Sequence, residues 1–134
     1  MKKMLGLLVL VLVGGLIFQG FTASESEGSF GEGPLVKFPK KVDAVIKNKC
    51  YGCHSPEGKG DKAKAALMWD DLAGLEPAMQ AEKFKNISKV LSEGSMPPKM
   101  MVEKMPEKAL SAAERTIMSK WADKTAKKIA KKIM

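Results

Sequence analysis

Residues 50 to 54 read Cys-Tyr-Gly-Cys-His, and these five positions hold both cysteines and the single histidine of a 134-residue chain. Chemistry that needs a thiol or an imidazole is therefore confined to one turn of backbone. A structural zinc site needs four ligands, usually Cys and His, and the sequence offers no second pair. A disulfide across a two-residue spacer closes a very small loop and stabilises little on loop-entropy grounds. A thiol redox pair of the thioredoxin kind expects a βαβ setting, and no stretch of this chain reads as a convincing strand. The spacing C-x-x-C-H is instead the pattern of covalent haem attachment. Two thiols one helical turn apart can each form a thioether, and the adjacent imidazole then lies beneath the ring. The reading is one covalently bound haem c, linked through Cys50 and Cys53, with His54 as proximal iron ligand.

The chain opens with Lys2 and Lys3, then an uncharged apolar run from Met4 to Phe18, then Gly20, Thr22, Ala23 and Ser24. This order is that of a secretory signal, and residues 1–24 are read as a cleaved signal peptide or a retained N-terminal anchor. The protein is thus expected to be exported, periplasmic in a bacterium, and free or membrane-anchored according to the fate of that segment. Residues 25–37, rich in Gly, Ser and Glu, read as a flexible linker. Residues 38–134 form the domain. Beyond Phe18 only seven aromatic residues are available: Phe21, Phe30, Phe38, Tyr51, Trp69, Phe84 and Trp121. A large flat apolar cofactor would add core to a domain whose own burial is modest.

The periodicity predicts an all-α fold. Val42, Val45 and Ile46 place a first helix after Pro39, running into Cys50. Asp61 is expected to cap a second helix that continues to about Gly74. A third should run from Glu76 or Pro77 to about Glu93, with Met79, Phe84 (or Lys83), Ile87, Val90 and Leu91 as its apolar stripe and Gly94 as its stop. Pro97, Pro98 and Pro106 read as a turning loop between Met96 and Met105, because proline interrupts helices. Ser111 and Glu114 form a capping-box signature for a last helix, with Ile117, Met118 and Trp121 facing inward and an end near Ile133.

The sixth iron position carries the functional question. No second histidine exists, and a thioether opposite histidine raises the reduction potential toward electron transfer. Four methionines lie in the proline-rich loop: Met96, Met100, Met101 and Met105. Met96 and Met105 each precede a proline, which biases them to extended backbone. Met96 is preferred as distal ligand, with Met105 the competitor.

Together "CYGCH", "GSMPP" and "LSAAERTIMSKW" resemble class I cytochromes c. The resemblance implies helices wrapped around one haem, a Met-Pro loop supplying the distal ligand, and a C-terminal helix crossing the N-terminal one, with Trp121 packed on it. The chain is most similar to the small haem-binding domain proteins of exported bacterial cytochromes. It departs from their pattern at Met105, where those relatives carry histidine, and just after the haem motif, where "SPEGKGDKAKAAL" replaces an aromatic-rich stretch. The implied function is electron transfer by a non-enzymatic carrier with His/Met-ligated iron. The rival is a haem sensor or a peroxidase-like enzyme with an open distal site.

The net charge is +8, and the last helix ends in a run of lysines. Ala126, Ile129, Ala130 and Ile133 share one face, with Lys124, Lys127, Lys128, Lys131 and Lys132 over the rest. The lysines suit the negative end of the helix dipole. They would also steer an acidic redox partner in transient docking, or touch an anionic membrane surface, as the N-terminal segment would. Nucleic acid is not an expected partner, since no aromatic residues interleave the basic run.

Overall fold

The computed structural model describes Gly33 and residues 35–134. Residues 1–24, read as an export signal or anchor, and most of the stretch read as linker lie outside the described residues. Among the described residues there are helices and turns and no strand, so the fold is all-α. Helix α1 spans Lys40–Val45 and runs directly into a π-helical turn, Ile46–Cys50. Helix α2 is Asp61–Ala66, α3 Pro77–Ser92, α4 Lys99–Lys104 and α5 Ala112–Ile133. Short 3-10 turns at Leu72–Gly74 and Pro106–Lys108 join them.

The main packing is α3 along α5, with α1 against α5. Phe84, Ile87 and Leu91 are the buried stripe of α3. They meet Met118, Ala122, Ala126 and Ile129 of α5, while Val42, Val45 and Ile46 close the core from α1. Met79, expected in the α3 stripe, is 50% exposed. The buried residue beside it is Gln80, whose amide nitrogen donates to the carbonyls of Leu72 (3.1 Å) and Ala73 (2.9 Å). A polar side chain can occupy a core position when backbone acceptors satisfy it, and hydrophobic periodicity does not reveal such a site. Ile117 also faces outward more than expected. Val36, read as linker, is fully buried in the core cluster.

Two expectations about the connections change. The second helix stops at Ala66, well short of Gly74, because Leu67 is extended (φ −158°, ψ 128°). Asp61 is the first residue of that helix and does not cap it, and Gly60 is the N-cap. The methionine segment is not wholly a loop. Pro98 serves as N-cap to α4, and Pro106 opens a 3-10 turn. Proline is tolerated at helix starts, where its missing N–H costs nothing, so six residues between two prolines suffice for a short helix.

The capping box forms as expected. Glu114 N donates to Ser111 Oγ (3.1 Å) and Ser111 N donates to Glu114 Oε2 (2.8 Å). Trp121 is the hub of an aromatic cluster, with Phe84 edge-on at 5.2 Å and Phe38 at 5.5 Å between ring centroids. Its indole N–H donates to the Lys37 carbonyl at 3.1 Å. It therefore packs on the segment leading into α1 and on α3. The Ala126–Ile129 face of α5 is buried, so the lysine-rich end of that helix rests its apolar side on the protein's own core. Among the described residues no helix is long and apolar enough to cross a membrane.

Candidate functional site

The π turn at the end of α1 accepts one extra residue per turn, with Tyr51 N donating to Ile46 O at 2.8 Å. Such turns are rare and frequent at functional sites. The chain then tightens. Cys53 N and His54 N both donate to the Cys50 carbonyl at 3.1 Å, which ties the three residues of the motif to one acceptor. Gly58 folds back beneath them, and a Cβ at this position would lie 2.5 Å from the Cys53 carbonyl oxygen and 2.8 Å from its carbon. Both obstacles are backbone and cannot swing aside. Gly58→Ala should therefore displace the loop and lower stability by about 1–3 kcal/mol, the usual cost of overpacking. A chemical denaturation curve checks this, with an unchanged midpoint as the contrary result.

His54 is fixed by two backbone carbonyls. Its Nδ1 lies 3.0 Å from Ala63 O and 2.9 Å from Leu67 O. Carbonyl oxygens only accept, so Nδ1 carries the proton and Nε2 carries the lone pair. The early end of α2 now has a purpose. The extended turn at Leu67 brings its carbonyl, with that of Ala63, around the imidazole. Trp69 N adds a bond to the His54 carbonyl at 3.2 Å. Orienting partners of this kind set the tautomer of a metal-binding histidine and raise its basicity.

Around the motif lies an apolar cleft in two connected halves. The larger encloses about 670 Å³ of empty space, including its open mouth, and the smaller about 470 Å³. Cys50, His54, Leu91 and Met96 line both halves, and Cys53, Met101 and Met105 line only the smaller. Met96 and Met105 are thus both brought to the cleft, with Met96 at its centre and Met105 to one side. Met100 is 63% exposed.

Met96 is placed by the end of α3. Gly94 has φ +73°, Ser95 N donates to Val90 O (3.0 Å) and Gly94 N to Leu91 O (3.2 Å). This is a Schellman motif, and it turns the chain so that Met96 follows directly over the cleft. The Met96–Pro97 peptide bond is cis. The Met105 side is pinned differently. Lys108 Nζ donates to Asn48 O (2.8 Å) and Lys49 Nζ to Glu107 O, so the 3-10 turn after Met105 is laced to the end of α1.

The electrostatics disfavour Cys50 as a redox nucleophile. Burial pushes the Cys50 thiol up to about 12, with the neighbouring Cys53 adding to the rise and Lys108 offsetting part of it. A thiol that stays protonated is a poor redox nucleophile. Tyr51, half-buried beside the motif, donates its hydroxyl to Asp70 Oδ1 at 3.0 Å, and that bond raises its pKa above the ordinary tyrosine value.

An all-α fold closed around an apolar cleft, with two thiols and an oriented imidazole in its wall, defines a protein built to hold a flat apolar cofactor. Residues 40–130 match the family model for cytochrome c, and the chain belongs to the cytochrome c family. No curated protein and no solved structure gives a significant match. Members of this family bind covalently attached haem c and use it for electron transfer. The residues here fit that group. The cleft walls are almost wholly apolar, the two cysteines are free thiols, and the histidine tautomer leaves Nε2 as a donor. Cys50, Cys53, His54, Met96 and Met105, all singled out in the sequence, line the cleft. Sequence reasoning missed the carbonyls of Ala63 and Leu67, because backbone acceptors leave no mark in side-chain identity.

Proposed function

We propose that this chain is a mono-haem c-type cytochrome that carries electrons in the bacterial cell envelope, with Cys50 and Cys53 as thioether links, His54 as proximal ligand and Met96 as distal ligand. The observation that carries this reading is the pairing of an imidazole held through Nδ1 by two carbonyls with a cleft shared by His54, Met96 and both cysteines. Haem bound there supplies a one-electron couple between ferrous and ferric iron. The chain's own residues supply the rest. Ala63 and Leu67 keep the imidazole aligned and basic. Leu91, Met118 and Ile87 keep water out of the cleft. A soft thioether at Met96 favours the ferrous state and raises the potential.

The rival with an open distal site would need an acid–base group beside the vacant position. The one histidine of the chain is already engaged through Nδ1 in the proximal role, and the cleft offers a thioether in place of a second imidazole. Lys49, Lys83 and Lys108 line the cleft and suit transient docking of an acidic redox partner, since complementary charge speeds encounter. The lysines of α5 add to that field, and the same field would draw the protein toward anionic membrane lipid.

Potentiometric titration with spectroscopic readout tests the function. A reversible one-electron transition from a low-spin haem is the expected result. A high-spin iron that reacts rapidly with peroxide would favour the rival. Cys53→Ala should leave a single thioether link, seen as a red-shifted pyridine haemochrome band. An unshifted band would contradict the attachment.

A further inference from the structure

The chain contains 22 lysines and a single arginine, Arg115, in the first turn of α5. Its Nη1 donates to two carbonyls at once, that of Leu91 at 2.8 Å and that of Met96 at 3.1 Å. Leu91 O lies at the C-terminal end of α3, where it also accepts from Gly94 N and where cationic donors are favourable. Met96 O belongs to the residue proposed to face iron. One nitrogen therefore ties the end of α3 and the ligand-bearing loop to the start of α5. That start is itself fixed, because the capping box of Ser111 and Glu114 ends one residue before Arg115. The guanidinium is half-buried, and hydrogen bonds from charged donors under such conditions are stronger than neutral ones.

We infer that Arg115 is a positioning residue that holds the Met96 backbone over the cleft and so sets how firmly the distal ligand stays on iron. This rests on Met96 being the distal ligand. The consequence is specific. The iron–thioether bond competes with any other ligand that can enter the cleft. The apparent affinity for such a ligand scales with the fraction of molecules whose sixth position is open. Loss of the clamp frees the Met96 carbonyl and lets the loop leave more often. That raises the open fraction without touching haem attachment, which depends on residues 50–54.

The test uses the haem-loaded protein and three variants: Arg115→Ala, Arg115→Leu and Arg115→Lys. The readouts are the far-red thioether-to-iron charge-transfer band of the ferric form, the affinity for added imidazole, and helical content at the same temperature. Arg115→Ala should weaken the band and bind imidazole about ten-fold more tightly while helical content stays unchanged. Arg115→Leu keeps the apolar stem, and it is the variant to read if alanine does not fold. Arg115→Lys should restore most of the band, because one ammonium can donate to both carbonyls as Nη1 does. A folded Ala or Leu variant with the parental band and imidazole affinity overturns the inference, even if its unfolding midpoint has fallen, since that result marks a purely structural arginine. A full band in Met96→Ala would instead overturn the ligand assignment beneath it, so the two failures are distinguishable.

Discussion

Replacing Met96 with alanine should abolish the far-red charge-transfer band of the ferric protein and open the iron to imidazole or cyanide. Alanine has no donor, and the short turn around Gly94 leaves Ser95 no reach into the cleft. The reduction potential should fall by on the order of 0.1–0.3 V, a fraction of the roughly 0.8 V over which axial ligands tune haem. Met105→Ala should change neither property to this extent, because Met105 lines only the smaller half of the cleft. The reverse pattern, with the band lost in Met105→Ala and kept in Met96→Ala, would move the ligand to the other methionine. Spectroscopy of both ferric variants, with voltammetry on each, separates the two outcomes.

A second large effect is expected at Phe84. Its side chain is fully buried, sits edge-on to Trp121 at 5.2 Å, and occupies the α3–α5 contact that dominates the packing. Phe84→Ala removes that burial and leaves a cavity, a change that costs about 3–5 kcal/mol. Domains of this size have about 5–15 kcal/mol in total, so about a fifth or more of the stability is at stake. Denaturant titration of the haem-loaded protein should show a much lower midpoint at unchanged slope. Met79→Ala, on the exposed side of the same helix, should stay within about 0.5 kcal/mol of the parent. Equal losses at the two sites would mean that the α3 stripe faces differently.

That contrast shows what sequence could and could not reveal. The stripe of α3 was legible in Phe84, Ile87 and Leu91, because burial follows the helical period. Met79 misled because it is apolar and lies one position off the register of Phe84, Ile87 and Leu91, a register that falls on the buried Gln80. Gln80 was hidden because its burial depends on two carbonyls of a 3-10 turn that no residue type announces. The capping box at Ser111 and the stop at Gly94 were legible, since each is a local interaction between near neighbours. Helix α4 was not, because proline reads as a breaker, although at Pro98 and Pro106 it flanks helical turns instead of interrupting one.

The candidate site divides in the same way. Spacing singles out Cys50, Cys53 and His54 in the sequence, and a following proline singles out Met96 and Met105 alike; the structure lines the cleft with all five. What orients them was invisible in the sequence. Ala63 and Leu67 act through backbone oxygen, and Arg115 reaches across 19 residues to the Met96 carbonyl. Long-range contacts to main-chain atoms depend on the fold as a whole.

The central claim is that an iron porphyrin is bonded to this chain through the sulfurs of Cys50 and Cys53, with His54 beneath the metal. Intact-mass and peptide mass spectrometry, on protein made in a host that installs haem c, tests it most directly. The account predicts a mass gain of one haem, located on the peptide containing residues 50–54. A colourless product with the mass of the polypeptide alone would contradict it.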